Sequence, residues 1–326
     1  MSPSSGAPPS GVLFANLGSP AAPTVPAVRR FLEEFLSDPL VVDLPRLRWW
    51  LVRRLVILPL RAPRSARAYR SVWMPEGAPL AVHSRRFAAA LGRELGSTFR
   101  VAVGMRYGSP SLAEGIRELA DAGCEQVLLF PAFPQQSRTT TGTVALAAGR
   151  AAKAMARGLG LSVLAPYHVD AGYVAALAER IREARAARAV NHVVLSFHGL
   201  PVRLVEAGDP YRAQCEATAA ALARALDLAP DRWTLAYQSR FGREPWLEPD
   251  VARVVPELAR THRRVLVATP GFACDCLETL EELGLRLRAA FAAAGGEELV
   301  LVPCLNDHPA WVRAAAALVR ASRGGA

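Results

Sequence analysis

His198 closes an apolar run, Val193 to Phe197, and stands just before Gly199, so its imidazole falls where a buried strand opens into a loop. Imidazole changes charge near neutral pH, and its neutral form accepts a proton or binds a metal. A lone histidine is also a common structural residue, and position alone leaves the two roles evenly open. A second group lies in TPGFACDCLETLEEL. Asp275 can cap the helix that follows, Glu278 falls at capping-box spacing from it, and Glu282 comes one turn later on the same face. A cap and a solvated glutamate pair need no further role. Yet two like charges stacked at a sheet edge repel, and such a track suits cations or protons.

Those residues need a frame. Short apolar, β-branched runs recur at Gly11 to Asn16, Phe99 to Met105, Gln126 to Phe130, Leu161 to Ala165, His192 to Phe197, Thr234 to Tyr237, Val265 to Thr269 and Leu299 to Val302. Each reads as a buried parallel strand, with Ala-rich helical segments between them. The alternation predicts an α/β fold of two similar Rossmann-like halves, each a four-stranded parallel sheet flanked by helices. The expected organisation is a flexible leader over 1–10, one half over 11–170 and a second over 171–326. The strand ends carry NLGSP, MRYGSP, FPAFPQQSRTTTG, SFHGLP, YQSRFG and TPGFACDC. In open α/β sheets ligands lie beyond the carboxyl ends of the strands. Turn chemistry accounts for the Gly and Pro there, but not for the His, Arg, Tyr and Gln.

At 326 residues, 51% hydrophobic and 21% charged, the chain is globular rather than disordered. The formal charge of +10 admits nucleic acid, an anionic membrane or an anionic ligand, and by itself chooses none of them. No nucleic-acid motif is present, so no such partner is expected. The five cysteines are scattered without zinc-type spacing, which suits reduced thiols in a cytosol. The stretch 31–60 stands apart. There Trp49, Trp50 and Leu51 alternate with arginines, as in an element lying on a membrane or over an apolar ligand, or in a core helix with snorkelling arginines.

Six ordered blocks, NLGSP with FLSDP, MRYGSPSL, FPAFPQQSRTTTGT, SFHGLP with GDPY, YQSRFGREPWLEPDV and PGFACDCLETLEEL, resemble the ferrochelatase family from about residue 11 to residue 312. By this resemblance His198 and Glu278 match the family's active-site histidine and glutamate, and Asp275 and Glu282 extend its acidic line, all four in reach of metal. Leu17, Arg106, Tyr107, Phe133 and Trp246 match the porphyrin pocket, and 31–60 matches the apolar lip over its mouth. Members acting on coproporphyrin carry Tyr at the position of Leu17, so protoporphyrin IX is the expected substrate, with ferrous iron as its partner. Arg138 replaces a cysteine that animal members use for an iron-sulfur cluster, and no cluster is expected. Cys276 stands where some members have His. The resemblance implies a lyase of haem biosynthesis, cytoplasmic, peripheral on the inner face of the membrane, meeting a membrane surface or the preceding pathway enzyme.

Iron insertion must strip two pyrrole protons, which suits a general base at His198 and carboxylates relaying protons or ferrous iron. Alternatives are a chelatase for coproporphyrin, a cobalt chelatase for the carboxylate-rich sirohydrochlorin, and a tetrapyrrole carrier without chemistry. The last would not require His198 together with Glu278.

Overall fold

The eight apolar runs form eight strands: β1 Ser10–Gly18, β2 Phe99–Tyr107, β3 Gln126–Pro131, β4 Gly160–Val163, β5 His192–His198, β6 Trp233–Gln238, β7 Arg264–Ala268 and β8 Glu298–Leu301. They build two all-parallel sheets of the same topology, β2-β1-β3-β4 and β6-β5-β7-β8. The computed structural model describes residues 8–155, 158–186, 188, 190–242 and 244–324. Residues 1–7 of the expected leader lie outside these, and Ser10 already pairs in β1. The central strands are buried along nearly their whole length, because helices cover both faces. β4 is not buried as expected. It is an edge strand whose Ser162 and Val163 face solvent.

The helices are α1 Val25–Phe35, α2 Arg46–Val52, α3 Leu58–Val72, α4 Pro79–Leu95, α5 Leu112–Asp121, α6 Thr143–Lys153, α7 Ala171–Ala186, α8 Val202–Glu206, α9 Tyr211–Ala225, α10 Val251–Leu258, α11 Arg288–Ala293 and α12 Pro309–Gly324. Three π-helical segments, Arg53–Ile57, Arg138–Gly142 and Glu278–Leu287, and a 3-10 turn at Pro230–Arg232 complete the regular structure of the described residues. The third crossover of each half, after β3 and after β7, therefore begins with a π-turn. Thr24 is the residue before α1, as expected, but its side chain makes no capping bond.

One core joins the halves. Phe14, Phe87, Phe130, Tyr167, Tyr173 and Trp311 share a cluster with Val193, Leu195 and Phe197 of the second sheet. Phe87 and Trp311 stack with ring centroids 5.7 Å apart. Trp311 belongs to α12, so the last helix of the chain packs on α4 and α7, and Arg320 donates to the Glu94 carbonyl at 2.7 Å. The second half thus reaches back over the first.

Gly18, at the end of β1, has a φ of 104°, and a Cβ there would lie 1.8 Å from the Tyr107 carbonyl. Only glycine lets β1 and β2 run this close at the rim that positions the site.

Candidate active site

Strand-end segments from the two sheets meet each other. Gln135, after β3, donates to Thr218 at 2.9 Å, and Ser137 and Arg138 N–H donate to the Asp209 carboxylate at 2.9 Å. Asn16, at the end of β1, donates to Ser84, which reaches Cys274 in the loop after β7. The side chains singled out from the sequence sit on both sides of this seam.

His198 is the last residue of β5, and its side chain is exposed. Its Nδ1 lies 2.7 Å from the Gly199 carbonyl. A carbonyl only accepts, so Nδ1 carries the proton of the neutral ring and Nε2 keeps a free lone pair. The next residue must be small. A Cβ at Gly199 would approach the Gln238 carbonyl at 2.9 Å and the Trp246 ring at 3.1 Å. Trp246 therefore lies against the backbone that carries His198, and it also lines a pocket of about 470 Å3 together with Arg212 and Arg240.

Glu278 and Glu282 occupy the first turns of the π-helix after β7. Such segments hydrogen-bond from i to i+5 and are common at functional sites. Gln238, buried at the end of β6, accepts from Ser196 at 2.8 Å and donates to the Glu278 carbonyl at 3.2 Å, tying both strands to the helix start. The Glu282 carboxylate accepts from Ser239 N–H at 2.8 Å and Ser239 Oγ at 2.6 Å. Burial pushes the Glu282 carboxyl above its usual range, opposed by the Ser239 bonds and by nearby His198, while Glu278 adds to the rise. His198, Glu278 and Glu282 thus share one electrostatic site.

Asp275 stands apart from that group. One carboxylate oxygen accepts from Asn306 at 2.7 Å and the other from Thr279 at 3.1 Å and Cys304 N–H at 3.3 Å, with the residue 4% exposed. The expected capping box with Glu278 does not form, because Thr279 takes the Asp275 oxygen and also accepts from Cys276 N–H at 3.0 Å. Ser239 and Asn306, which hold the two acidic groups, both adopt the left-handed backbone, with φ of 65° and 47°. A non-glycine residue pays strain for that conformation, and such strain concentrates at functional sites. Cys276 is a packed thiol, pushed well above its usual range by burial and by the charge of Glu278.

From the first half, α3 brings Arg61 to the same place. Its guanidinium stacks over the Phe241 ring at 4.4 Å, and burial lowers its pKa while Glu278 raises it. Leu277, beside Glu278, packs into the lip cluster with Leu58, Ala62 and Tyr69. Leu17 is half-buried at the end of β1, its N–H donating to Asn16 at 2.9 Å. Phe133 packs against a cluster around Leu129 and Val144. Tyr107 is 1% exposed, and both it and Arg106 bond to Asp38 of FLSDP rather than standing open to solvent.

The paired tryptophans of 31–60 divide. Trp49 turns inward and donates to the Leu36 carbonyl at 2.6 Å, whereas Trp50 faces solvent with Leu51. Leu47 at 75% and Leu55 at 70% exposure continue that apolar face, with the exposed Arg48 and Arg54 in the same segment. No helix among the described residues is long and apolar enough to cross a membrane. Among them, the one group of three ligand-type side chains with ligand atoms all within 4.8 Å is Glu179, Glu183 and His308, on the surface between α7 and the start of α12.

The sequence reading missed Ser239, Gln238, Arg61, Asp38 and Thr143. Ser239, Gln238 and Asp38 lie inside motifs whose neighbours drew attention, and Arg61 was one of many lip arginines. Nothing local marks their partners, which arrive from 37 or more residues away.

The family model described as Ferrochelatase matches residues 9–323. A ferrochelatase of Nitrosococcus oceani is 46% identical over 314 residues, covering 95% of this chain and 85% of that protein, and one of Polaromonas sp. is 45% identical over 310 residues, covering 94% and 84%. Among solved structures, the sirohydrochlorin chelatase of Bacillus subtilis subspecies spizizenii in complex with cobalt superposes with a TM-score of 0.55 at 12% identity, over 96% of this chain and 94% of that one, a likeness of fold alone. With identity at this level along nearly its whole length, and with the histidine and glutamates of the family motif gathered at one seam, the chain belongs to the ferrochelatase family.

Proposed function

We propose that this chain inserts ferrous iron into protoporphyrin IX to form protohaem, with His198 as the general base and Glu278 and Glu282 as the line that passes protons or iron. The observation that carries the reading is the free Nε2 of His198 beside Gln238 in the β5–β6 register, where Gln238 is bonded to the Glu278 carbonyl and the next residue, Ser239, holds the Glu282 carboxylate. Insertion replaces two pyrrole N–H protons by the metal. A neutral imidazole with its Nδ1–H already engaged presents only Nε2 to such a proton. The carboxylates do not close into a tight three-ligand group with His198, which suits a path for a substrate ion rather than a resident one. Burial raises the Glu282 carboxyl above its usual range, which eases its taking up a proton, and the Ser239 bonds keep it in place.

Leu17 supports protoporphyrin over coproporphyrin. A half-buried leucine offers no partner to an extra propionate, and an unpaired buried carboxylate is costly. Arg106, Tyr107, Phe133 and Trp246 complete the proposed porphyrin pocket, with Arg106 and Tyr107 acting through the rim they build with Asp38. Asp275 supports the line from behind by fixing the loop after β7. The exposed face of Leu47, Trp50, Leu51 and Leu55 fits a cytoplasmic protein resting on the inner membrane surface, or docking the preceding pathway enzyme. The five cysteines are free and buried, and the reading requires no iron-sulfur cluster. Anaerobic incubation of purified protein with protoporphyrin and ferrous iron, followed by haem absorbance, tests the function. An unchanged porphyrin spectrum overturns it.

A further inference from the structure

The turn after α1 is a hub between the lip and the first sheet. Three consecutive residues each hold a different part. The Leu36 carbonyl accepts Trp49 Nε1 at 2.6 Å, the Ser37 hydroxyl accepts Arg53, and the Asp38 carboxylate accepts Arg106, Thr143 and, at 2.9 Å, the Tyr107 hydroxyl. The other Asp38 oxygen takes Leu40 N–H at 2.8 Å. Arg106 Nε donates in turn to Thr143 at 2.7 Å, and its guanidinium stacks over Tyr107 at 4.6 Å. Phe35 packs edge-on against the same ring, 5.2 Å between centroids. Asp38 is 5% exposed, so this is a buried carboxylate with both oxygens engaged. Leu36 and Ser37 grip the helices that carry Trp50 outward and Arg61 inward, while Asp38 grips the ends of β2 and α6.

We propose that Asp38 is a positioning residue that latches the lip to the rim of the first sheet and so sets where α2 and α3 stand over the porphyrin mouth. The proposal rests on the chelatase reading of the site. Asp38 touches neither substrate. It acts through Arg106 and Tyr107 on one side and through α3, with Arg61 beside Glu278, on the other. Loosening the latch weakens the grip on porphyrin more than it slows the proton and metal steps, which stay with His198 and Glu278.

The test uses the full chain with Asp38→Asn and Thr143→Val. An asparagine cannot serve Leu40 N–H and the Arg106 donor together, because one side of the amide is itself a donor. Valine at 143 keeps the shape of threonine and removes its bonds to Asp38 and from Arg106 while leaving the Asp38 charge. Expected for Asp38→Asn is a KM for protoporphyrin raised about tenfold or more with kcat within about threefold, and for Thr143→Val a smaller shift of about threefold in the same direction. Porphyrin Kd, read by fluorescence without iron, should follow KM, and exchange of the Trp49 indole N–H should quicken in both variants. A fall in kcat at constant KM, or unchanged Trp49 exchange, overturns the latch. Should Asp38→Asn not fold, Thr143→Val decides on the same readouts. Failure of the wild-type chain to make haem overturns the functional reading instead, while Kd and Trp49 exchange still judge the latch.

Discussion

The two halves share one strand order and place a π-turn after the same strand, yet they differ in what their strand ends hold. In the second half the ends carry His198 with a free Nε2 and the half-buried Glu278 and Glu282. In the first half the corresponding rim is closed. Asn16 is bonded to Ser84, the π-turn Arg138–Gly142 is threonine-rich, and Asp38 is held by Arg106, Tyr107 and Thr143. Under the proposed function, one backbone plan serves two purposes, chemistry in the second half and the holding of a lid and a wall in the first. The fold fixes where side chains can meet, and the loops decide whether they stay reactive.

The largest expected contrast compares the two π-turns. Glu278→Gln should lower kcat for iron insertion by about 10²-fold or more, the range for loss of a proton-transfer group, while Thr140→Val at the corresponding turn should change it by less than about threefold. Equal effects in single-turnover haem formation would erase the division of labour. Next in size is substrate choice, which probes the wall. We expect kcat/KM for protoporphyrin to exceed that for coproporphyrin by about 10- to 100-fold, from one buried polar mismatch of about 1–3 kcal/mol. Steady-state kinetics on both porphyrins in the same detergent decides it, and equal use would mean that Leu17 does not report the substrate.

The lid gives a third expectation. Trp50→Ser should weaken binding to vesicles containing anionic lipid by about tenfold, since partly burying an indole in the interface is worth about 1.5 kcal/mol, the low end for a large apolar side chain. Trp49→Ser should instead lower the melting temperature, because Trp49 is part of the lip's own packing. Sedimentation with vesicles and calorimetry separate the two.

The smallest effect concerns acid. Burial raises the Asp38 carboxyl, but the bonds from Thr143, Leu40 and Tyr107 and the charge of Arg106 outweigh it and leave the group below its usual range. A depressed native pKa stabilises the fold above the unfolded aspartate range, near pH 4, and that contribution disappears as the pH falls through the native value. The stability gap between wild type and Asp38→Asn, about 1–3 kcal/mol near pH 7, should therefore narrow in acid. A gap that widens in acid would contradict the assigned network.

All eight strands were legible in the sequence, because buried parallel strands leave continuous aliphatic runs that need no knowledge of their neighbours. The exposure of β4 was not, since GLSV looks the same in a centre or at an edge. The capping box shows the limit of spacing rules. Asp275 and Glu278 have the spacing without the bonds, while Ser111 and Glu114, unnoticed in SPSLAEG, make both. The difference is tertiary, because Asn306 and Cys304 reach Asp275 from 29 or more residues away. For the same reason the linear motifs announced His198 and Glu278, while Ser239, Arg61 and the Asp38 network emerged only once distant segments were brought together.

The central claim is that His198 carries the chemistry while the rest of the site holds the porphyrin. Protoporphyrin should be bound to saturation on His198→Ala, as judged by fluorescence titration, and ferrous iron then mixed in anaerobically while haem absorbance is followed through one turnover. The account predicts porphyrin affinity within about threefold of wild type and haem formation slowed by about 10²-fold or more. Haem formation at a near-normal rate would contradict it.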